Sequence, residues 1–286
     1  DHIPCGYSGI CSNGKMLLLS TVCRKNGGDI IYTSTDSGES WKIIMNRLEY
    51  SRFDWNIPYM KPRYNGGGNC VHWISDIKLS PFDSDTALFN TGTGLFMITG
   101  LASGDVLVKP FCEGIEETVH LNVYTTPHGR NRIIDIIGDL GGFAFEDYDS
   151  ECENSFANEN GDRYITCLNA DLTLSDPEYI VATPRGNWTG KTKGGLILSK
   201  DCGSTWERLP MPRGLSEFID KKLDNIEKPN VDSGWTAISA DGKRIMWAVA
   251  GGRGFSNKAV CYTDDEGKTW QKSIFTDSSG NSADEH

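Results

Sequence analysis

Ser34-Thr35-Asp36-Ser37-Gly38-Glu39-Ser40-Trp41 decides the fold, because the same eight-position pattern returns as Ser199-Lys200-Asp201-Cys202-Gly203-Ser204-Thr205-Trp206 and as Thr263-Asp264-Asp265-Glu266-Gly267-Lys268-Thr269-Trp270. Each copy follows a short apolar run: Ile30-Ile31-Tyr32, Leu196-Ile197-Leu198 and Ala259-Val260-Cys261. Lys42-Ile43-Ile44 follows the first copy. An aspartate that can accept turn amides, a glycine that tolerates positive φ and a tryptophan that can fold back across the turn together specify a β-hairpin. This is the Asp-box, a scaffold motif. Its carboxylate is consumed by the turn and is no candidate for catalysis.

A second unit lies between the boxes. Trp73-Ile74-Ser75-Asp76-Ile77-Lys78-Leu79-Ser80-Pro81 is echoed by Asn169-Ala170-Asp171-Leu172-Thr173-Leu174-Ser175-Asp176-Pro177, each followed by another apolar run. Strand, polar turn, strand, repeated in this way, is the unit of a meandering blade. The expected class is all-β, a β-propeller with Asp-box hairpins. About five blades are legible, near residues 14–45, 70–100, 116–147, 163–210 and 234–273. A closed ring commonly takes more, so the ring is expected to be incomplete in this chain. The propeller domain is read as residues 1–275, with a helical insertion over 214–228, where apolar residues fall at helical spacing after Ser216, and a polar tail over 276–286.

Composition narrows the partners. With 286 residues and 38% hydrophobic content the chain can bury a core. Its formal net charge is -11 and it carries no basic run, so it repels a phosphate backbone and nucleic acid is not an expected partner. No stretch approaches the roughly 18 to 20 apolar residues of a spanning helix, so no membrane partner is expected. Nine cysteines without CxxC pairs favour disulfides over zinc, with the connectivity open, and Asn187-Trp188-Thr189 is a glycosylation sequon. Both features fit a secreted, extracellular protein. The five histidines show no metal-ligand spacing, and neither metal nor cofactor is expected.

One acid stands apart. Arg132-Ile133-Ile134-Asp135-Ile136-Ile137-Gly138 reads as a strand running into Asp139-Leu140-Gly141-Gly142-Phe143. A carboxyl group placed there is either a turn residue or a reacting group, and spacing alone leaves both readings open. Neighbouring Glu116, Glu117, Asp135, Asp147 and Asp149 read as rim or turn acids. Trp55, Tyr59 and Trp188, in glycine- or proline-rich loops, and Trp73, leading a strand, are the candidate substrate-binding residues, since an aromatic face suits the axial C–H face of a sugar ring.

Gly114-Ile115-Glu116-Glu117-Thr118 and Gly138-Asp139-Leu140-Gly141-Gly142-Phe143 resemble the GIEET and GDxGGF signatures of glycoside hydrolase family 74, the xyloglucanases. The stretches Trp73 to Asp83, Gly92-Thr93-Gly94 and Ser239 to Trp247 follow in the family's order. The resemblance implies two seven-bladed propellers around a cleft, inverting hydrolysis of β-1,4-glucan backbones such as xyloglucan, and one catalytic aspartate on each propeller. Asp139 matches the aspartate of the second propeller, the implied general acid. The first propeller's TDxGG motif does not occur in this sequence, so a second propeller outside the chain is an implied partner and the isolated chain is expected to lack one carboxylate of the pair. The alternative is a propeller module that binds glycan or protein without chemistry.

Overall fold

The structure, a computed structural model, describes residues 5–24, 28–46, 52–54, 71, 73–115, 118–126, 128–151, 155–249 and 260–283. It divides into two compact units, Asp1–Thr118 and Val119–His286.

The first unit holds two sheets. Strands β1 (Gly6–Ser12), β2 (Leu17–Val22), β3 (Ile31–Ser34) and β4 (Lys42–Met45) form one in simple sequential order. The other is β6 (Asp76–Leu79), β7 (Ala87–Thr91), β8 (Gly94–Thr99) and β9 (Leu107–Pro110), with the two-residue β5 (Arg52–Phe53) pairing parallel to β9. The sheets meet where β1 passes β6. A Cβ on Gly9 would lie 2.7 Å from the Ile77 amide nitrogen, so only glycine allows the approach. Phe89 and Phe96, opposed across β7 and β8, stack at 5.3 Å and are fully buried.

The second unit holds three sheets: β10 (Val119–Thr125), β11 (Ile133–Gly138) and β12 (Gly141–Phe145); β13 (Cys167–Leu172), β14 (Ile180–Pro184), β15 (Ile197–Ser199) and β16 (Glu207–Arg208); and β17 (Gly234–Ile238), β18 (Ile245–Val249), β19 (Val260–Thr263) and β20 (Gln271–Lys272). All are antiparallel meanders. The period-2 rule explains why β14 is buried throughout: Ile180 and Ala182, with Ile197, face Ile134, Ile136 and Phe156 of one neighbouring layer, whereas Val181, Leu196 and Leu198 face Ile238, Ile245 and Trp247 of the other. Each fully buried aliphatic side chain contributes about 1.5–3 kcal/mol. Helix α1 (Glu217–Ile226) is capped by Ser216, whose hydroxyl accepts the Ile219 amide at 3.2 Å, and seals the second of these layers with Ile219, Leu223 and Ile226. The chain beyond β20 makes a further turn, in which Asp277 accepts the Ser279 and Asn281 amides and Ala283 donates to the Phe275 carbonyl.

All three Asp-boxes are turns joining the third and fourth strands of a sheet: β3 to β4, β15 to β16 and β19 to β20. Their geometry repeats. The aspartate accepts the hydroxyl two residues before it and both the amide and hydroxyl four residues after it, as Asp201 does with Ser199 (2.8 Å) and Thr205 (2.8 and 2.6 Å). The residue after each aspartate, Ser37, Cys202 or Glu266, and the following glycine are both left-handed. Trp41 and Trp206 donate from the indole nitrogen to the Gly38 and Gly203 carbonyls, each at 3.1 Å. Trp270 departs from the pattern and donates to the Pro210 carbonyl at 2.9 Å. Trp206 is buried at 4% exposure, while Trp41 and Trp270 are partly covered.

The described cysteines fall into two kinds of place, the first hairpin and the packed core. Cys5, Cys11, Cys23, Cys167, Cys202 and Cys261 are free thiols in this structure, with Cys167, Cys202 and Cys261 packed singly into the core. The last three pack among aliphatic and aromatic side chains as small apolar residues, and the thiols of Cys202 and Cys167 also donate to the Asn131 and Asn169 carbonyls at 3.2 and 3.5 Å. Cys70 and Cys152 lie outside the described residues.

Candidate active site

The Asp139 turn is built by the strands on either side of it. β11 pairs with β12 from Ile133↔Phe145 to Ile137↔Gly141, which leaves Gly138, Asp139 and Leu140 to reverse the chain. Asp139 has φ 62°, a left-handed conformation that costs a non-glycine residue strain, and it is exposed. Its backbone N–H donates to the Thr166 hydroxyl at 3.0 Å. The two glycines after it are forced by neighbours. A Cβ on Gly141 would stand 2.8 Å from the Tyr164 carbonyl oxygen, and one on Gly142 would stand 2.6 Å from the Phe156 ring. The Gly-Asp-Leu-Gly-Gly-Phe run therefore spends its glycines on close packing and holds the acid out of that packing.

Thr166 ties this turn to the next. Its carbonyl accepts the Arg185 amide at 2.7 Å, and the Arg185 guanidinium donates from Nε to Asp232 at 2.6 Å. Beyond Arg185, the connection from β14 to β15 is wired by Asn187, whose side-chain oxygen accepts the Thr189 hydroxyl (2.8 Å) and the Lys191 amide (3.0 Å) while its nitrogen donates to the Arg163 carbonyl (3.0 Å). Trp188 sits on this braced loop at 69% exposure. Asp139 and Trp188 thus occupy the same kind of connection, second strand to third, whereas the Asp-boxes occupy third to fourth. In an antiparallel meander these connections fall at opposite ends of a sheet.

Trp73 belongs to the first unit and precedes β6. It is left-handed at φ 60°, 58% exposed, and lies against Gly92, where an added Cβ would meet its ring at 3.1 Å. For so bulky a side chain this backbone is an outlier. Trp55 and Tyr59 lie outside the described residues, as do Glu116 and Glu117.

Of the remaining acids, Asp147 accepts the Asp149 amide and the Ser150 hydroxyl in a local turn. Asp135 is different. It is buried on β11, and the Nδ1 of His120 on β10 lies 3.0 and 2.8 Å from its two oxygens. Burial pushes the Asp135 carboxyl up from its usual range, and the bond from His120 opposes the shift only in part. Sequence reading placed Asp135 among rim acids. The inward register of β11 buries it, and His120, which sits opposite Ile137 beside the β10 bulge, reaches it diagonally across the strands. The Arg185–Asp232 pair carried no sequence signal, since the two residues are far apart in the chain and meet only through the loops.

A cleft of about 650 Å³ opens between the 155–161 segment and the β15–β16 Asp-box. Several of its polar groups serve the fold: Thr205 is bonded to Asp201, Asn158 to its own turn, and Lys200 to Glu266, while the Ser155 hydroxyl is buried with no hydrogen-bond partner among the described residues. It lies at the Asp-box end of its sheet, whereas Asp139 lies on a connection from second strand to third. Among the described residues no three of His, Cys, Asp or Glu gather to hold a metal ion.

The fold and this hairpin define a β-propeller protein assembled from Asp-box blades. The chain is related to the xyloglucanases of glycoside hydrolase family 74. It is 24% identical over 296 residues to a xyloglucanase of Paenibacillus sp, covering 94% of this chain and 26% of that protein. It is 25% identical over 282 residues to the oligoxyloglucan-reducing end-specific xyloglucanase of Emericella nidulans, covering 86% of this chain and 33% of the relative. In fold it matches the family 74 xyloglucanase of Xanthomonas campestris with TM-score 0.67, at 22% identity over 92% of this chain and 33% of that one. The family 74 enzyme of Niastella koreensis gives TM-score 0.68 at 20% identity, over 93% of this chain and 34% of that one. No family model matches the chain. The chain spans about a quarter to a third of the length of these relatives.

Proposed function

We propose that this chain is part of an extracellular xyloglucan hydrolase that cleaves the β-1,4-glucan backbone with inversion, and that Asp139 is its general acid. The observation that carries the reading is the Asp139 turn: a solvent-facing carboxyl group held in a left-handed backbone conformation by Thr166 and by two glycines that packing makes irreplaceable. Strain retained at a surface turn, where glycine would relieve it, calls for a reason at the side chain. The match to the family's GDxGGF signature and the xyloglucanase activity for which the relatives are named support that reason.

In this mechanism Asp139 gives its proton to the glycosidic oxygen as the bond to the leaving sugar breaks. A second carboxylate, about 6.5–9.5 Å from the first in inverting enzymes, takes a proton from the water that attacks the opposite face of the ring. That group is supplied by another part of the protein, a second seven-bladed propeller. Trp188 and Trp73, with Trp55 and Tyr59, offer faces on which glucose rings stack. Hydrolysis of this kind draws on no cofactor. Among the described residues no helix is long and apolar enough to cross a membrane.

The test is Asp139→Asn in the full-length protein. Asparagine keeps the size of the side chain and tolerates the left-handed turn but has no acidic proton to give. Release of new reducing ends from xyloglucan should fall by at least about a hundredfold, the usual contribution of a positioned acid, with retention on a xyloglucan affinity gel unchanged. Turnover at the parental rate would rule Asp139 out. Xyloglucan retention by the isolated 286-residue chain without any new reducing ends would fit either a half-site or a binding module, and loss of full-length activity in the Asn variant separates the two.

A further inference from the structure

We infer that Cys5 and Cys23 are the two halves of a disulfide that closes the open end of the first hairpin. The pairing of β1 with β2 runs from Ser12↔Leu17 at the turn to Gly6↔Val22 at the other end. One step beyond that last pair, the same register sets Cys5 opposite Cys23. Directly opposed residues of an antiparallel pair have Cα atoms about 4.5–5.5 Å apart, which lies inside the roughly 4.4–6.8 Å that a disulfide bridges.

The surroundings suit the bond. Both side chains are exposed, and both are thiols here, so an oxidant in solution reaches them without opening the core. Cys23 is left-handed at φ 63°, a conformation that persists only where neighbours impose it. They do so on the far side, where the Arg24 amide is fixed to the buried Asp29 carboxylate at 3.1 Å and the Thr21 amide to the Ile30 carbonyl at 3.0 Å. The other described cysteines are poor competitors. Cys11 faces Leu18 across the hairpin, Cys112 is buried at 2% exposure, and Cys167, Cys202 and Cys261 are buried in the second unit.

The oxidant is a small-molecule disulfide such as oxidised glutathione. One cysteine thiolate attacks it and expels reduced glutathione, leaving a mixed disulfide. The second cysteine thiolate attacks the protein sulfur of that intermediate and expels a second reduced glutathione. Two thiol hydrogens leave the protein and two appear on glutathione, so the exchange balances. The inference is independent of the proposed hydrolase activity.

The experiment equilibrates the 286-residue chain with oxidised and reduced glutathione, blocks remaining thiols with iodoacetamide and digests without reduction. The expected product is one linked peptide pair containing Cys5 and Cys23. In Cys23→Ser, Cys5 should be recovered alkylated. The linked chain should melt about 5 °C or more above the Cys5→Ser/Cys23→Ser double variant, the scale expected for closing a loop of this length. Recovery of both cysteines alkylated after equilibration would overturn the inference. So would linkage of either one to any of the chain's remaining cysteines or to a second chain.

Discussion

Replacing Asp139 by glycine separates what the turn needs from what the site needs. Asp139 holds φ 62° without the licence that a missing Cβ confers, and its side chain is exposed. A left-handed L-residue carries about 1–2 kcal/mol of strain, toward the low end for Asp, whose short polar side chain tolerates the region. Glycine removes that strain but gains backbone freedom in the unfolded chain, which costs about 0.4–1 kcal/mol. The bond from the Asp139 backbone N–H to Thr166 survives, because it uses no side-chain atom of Asp139. Asp139→Gly should therefore fold with stability from parental to about 1 kcal/mol higher. Asp139→Ala, which keeps the strain, should be about 1 kcal/mol less stable than Asp139→Gly. For a unit of this size that difference is about 2–4 °C in melting midpoint, readable by calorimetry or urea titration. Neither variant should retain xyloglucan hydrolysis in the full-length protein. If Asp139→Gly proves destabilised by more than about 1 kcal/mol, the carboxylate is holding the turn together and the argument from stored strain fails.

Three further outcomes follow from the same geometry. Hydrogen bonds from Thr205 and Ser199 outweigh burial and hold the Asp201 carboxyl below its usual range, and hydrogen bonds lower Asp36 and Asp265 in the same way, so these groups contribute stability that is present above the unfolded carboxylate range near pH 3.9 and lost as pH falls through their depressed folded values; urea midpoints should drop between about pH 4 and pH 2, and Asp201→Asn, losing charge-assisted bonds, should cost about 1–2 kcal/mol at pH 7 with a flatter acid limb. Asp135 has the opposite sign: burial raises its folded value, so the ionised form weighs against folding as pH rises through the carboxylate range, and Asp135→Asn should be neutral to about 1 kcal/mol stabilising at pH 7 and show no gain at pH 3. Gly92→Ala sets a methyl 3.1 Å from the Trp73 ring and should shift that tryptophan's emission and weaken glucan retention in the full-length protein; unchanged fluorescence would mean the ring rests elsewhere.

Much of the fold was legible because its signals are local. An Asp-box is eight consecutive residues whose aspartate and leading hydroxyl close their hydrogen bonds within the turn, so the same chemistry at residues 34, 199 and 263 gives the same hairpin wherever the chain is read. The site was half legible. Asp139 stood out by its place after a strand and before two glycines. The reason for the glycines did not, since it is the Tyr164 carbonyl and the Phe156 ring, which reach the turn from outside the hairpin.

By itself, then, the sequence determined the strand-turn-strand repeat, the three boxes and the one acid set apart from them, all of them matters of residues within a few positions of one another. Which cysteines are core and which lie open at a hairpin end, that Asp135 is a buried partner of His120, that Arg185 and Asp232 meet, and that the box turns and the Asp139 turn lie at different ends of their sheets were decided only by the tertiary structure. Each depends on register and on layers meeting face to face. A shift of one residue in a strand would turn the buried cysteines and Asp135 to the opposite face while leaving the local pattern untouched.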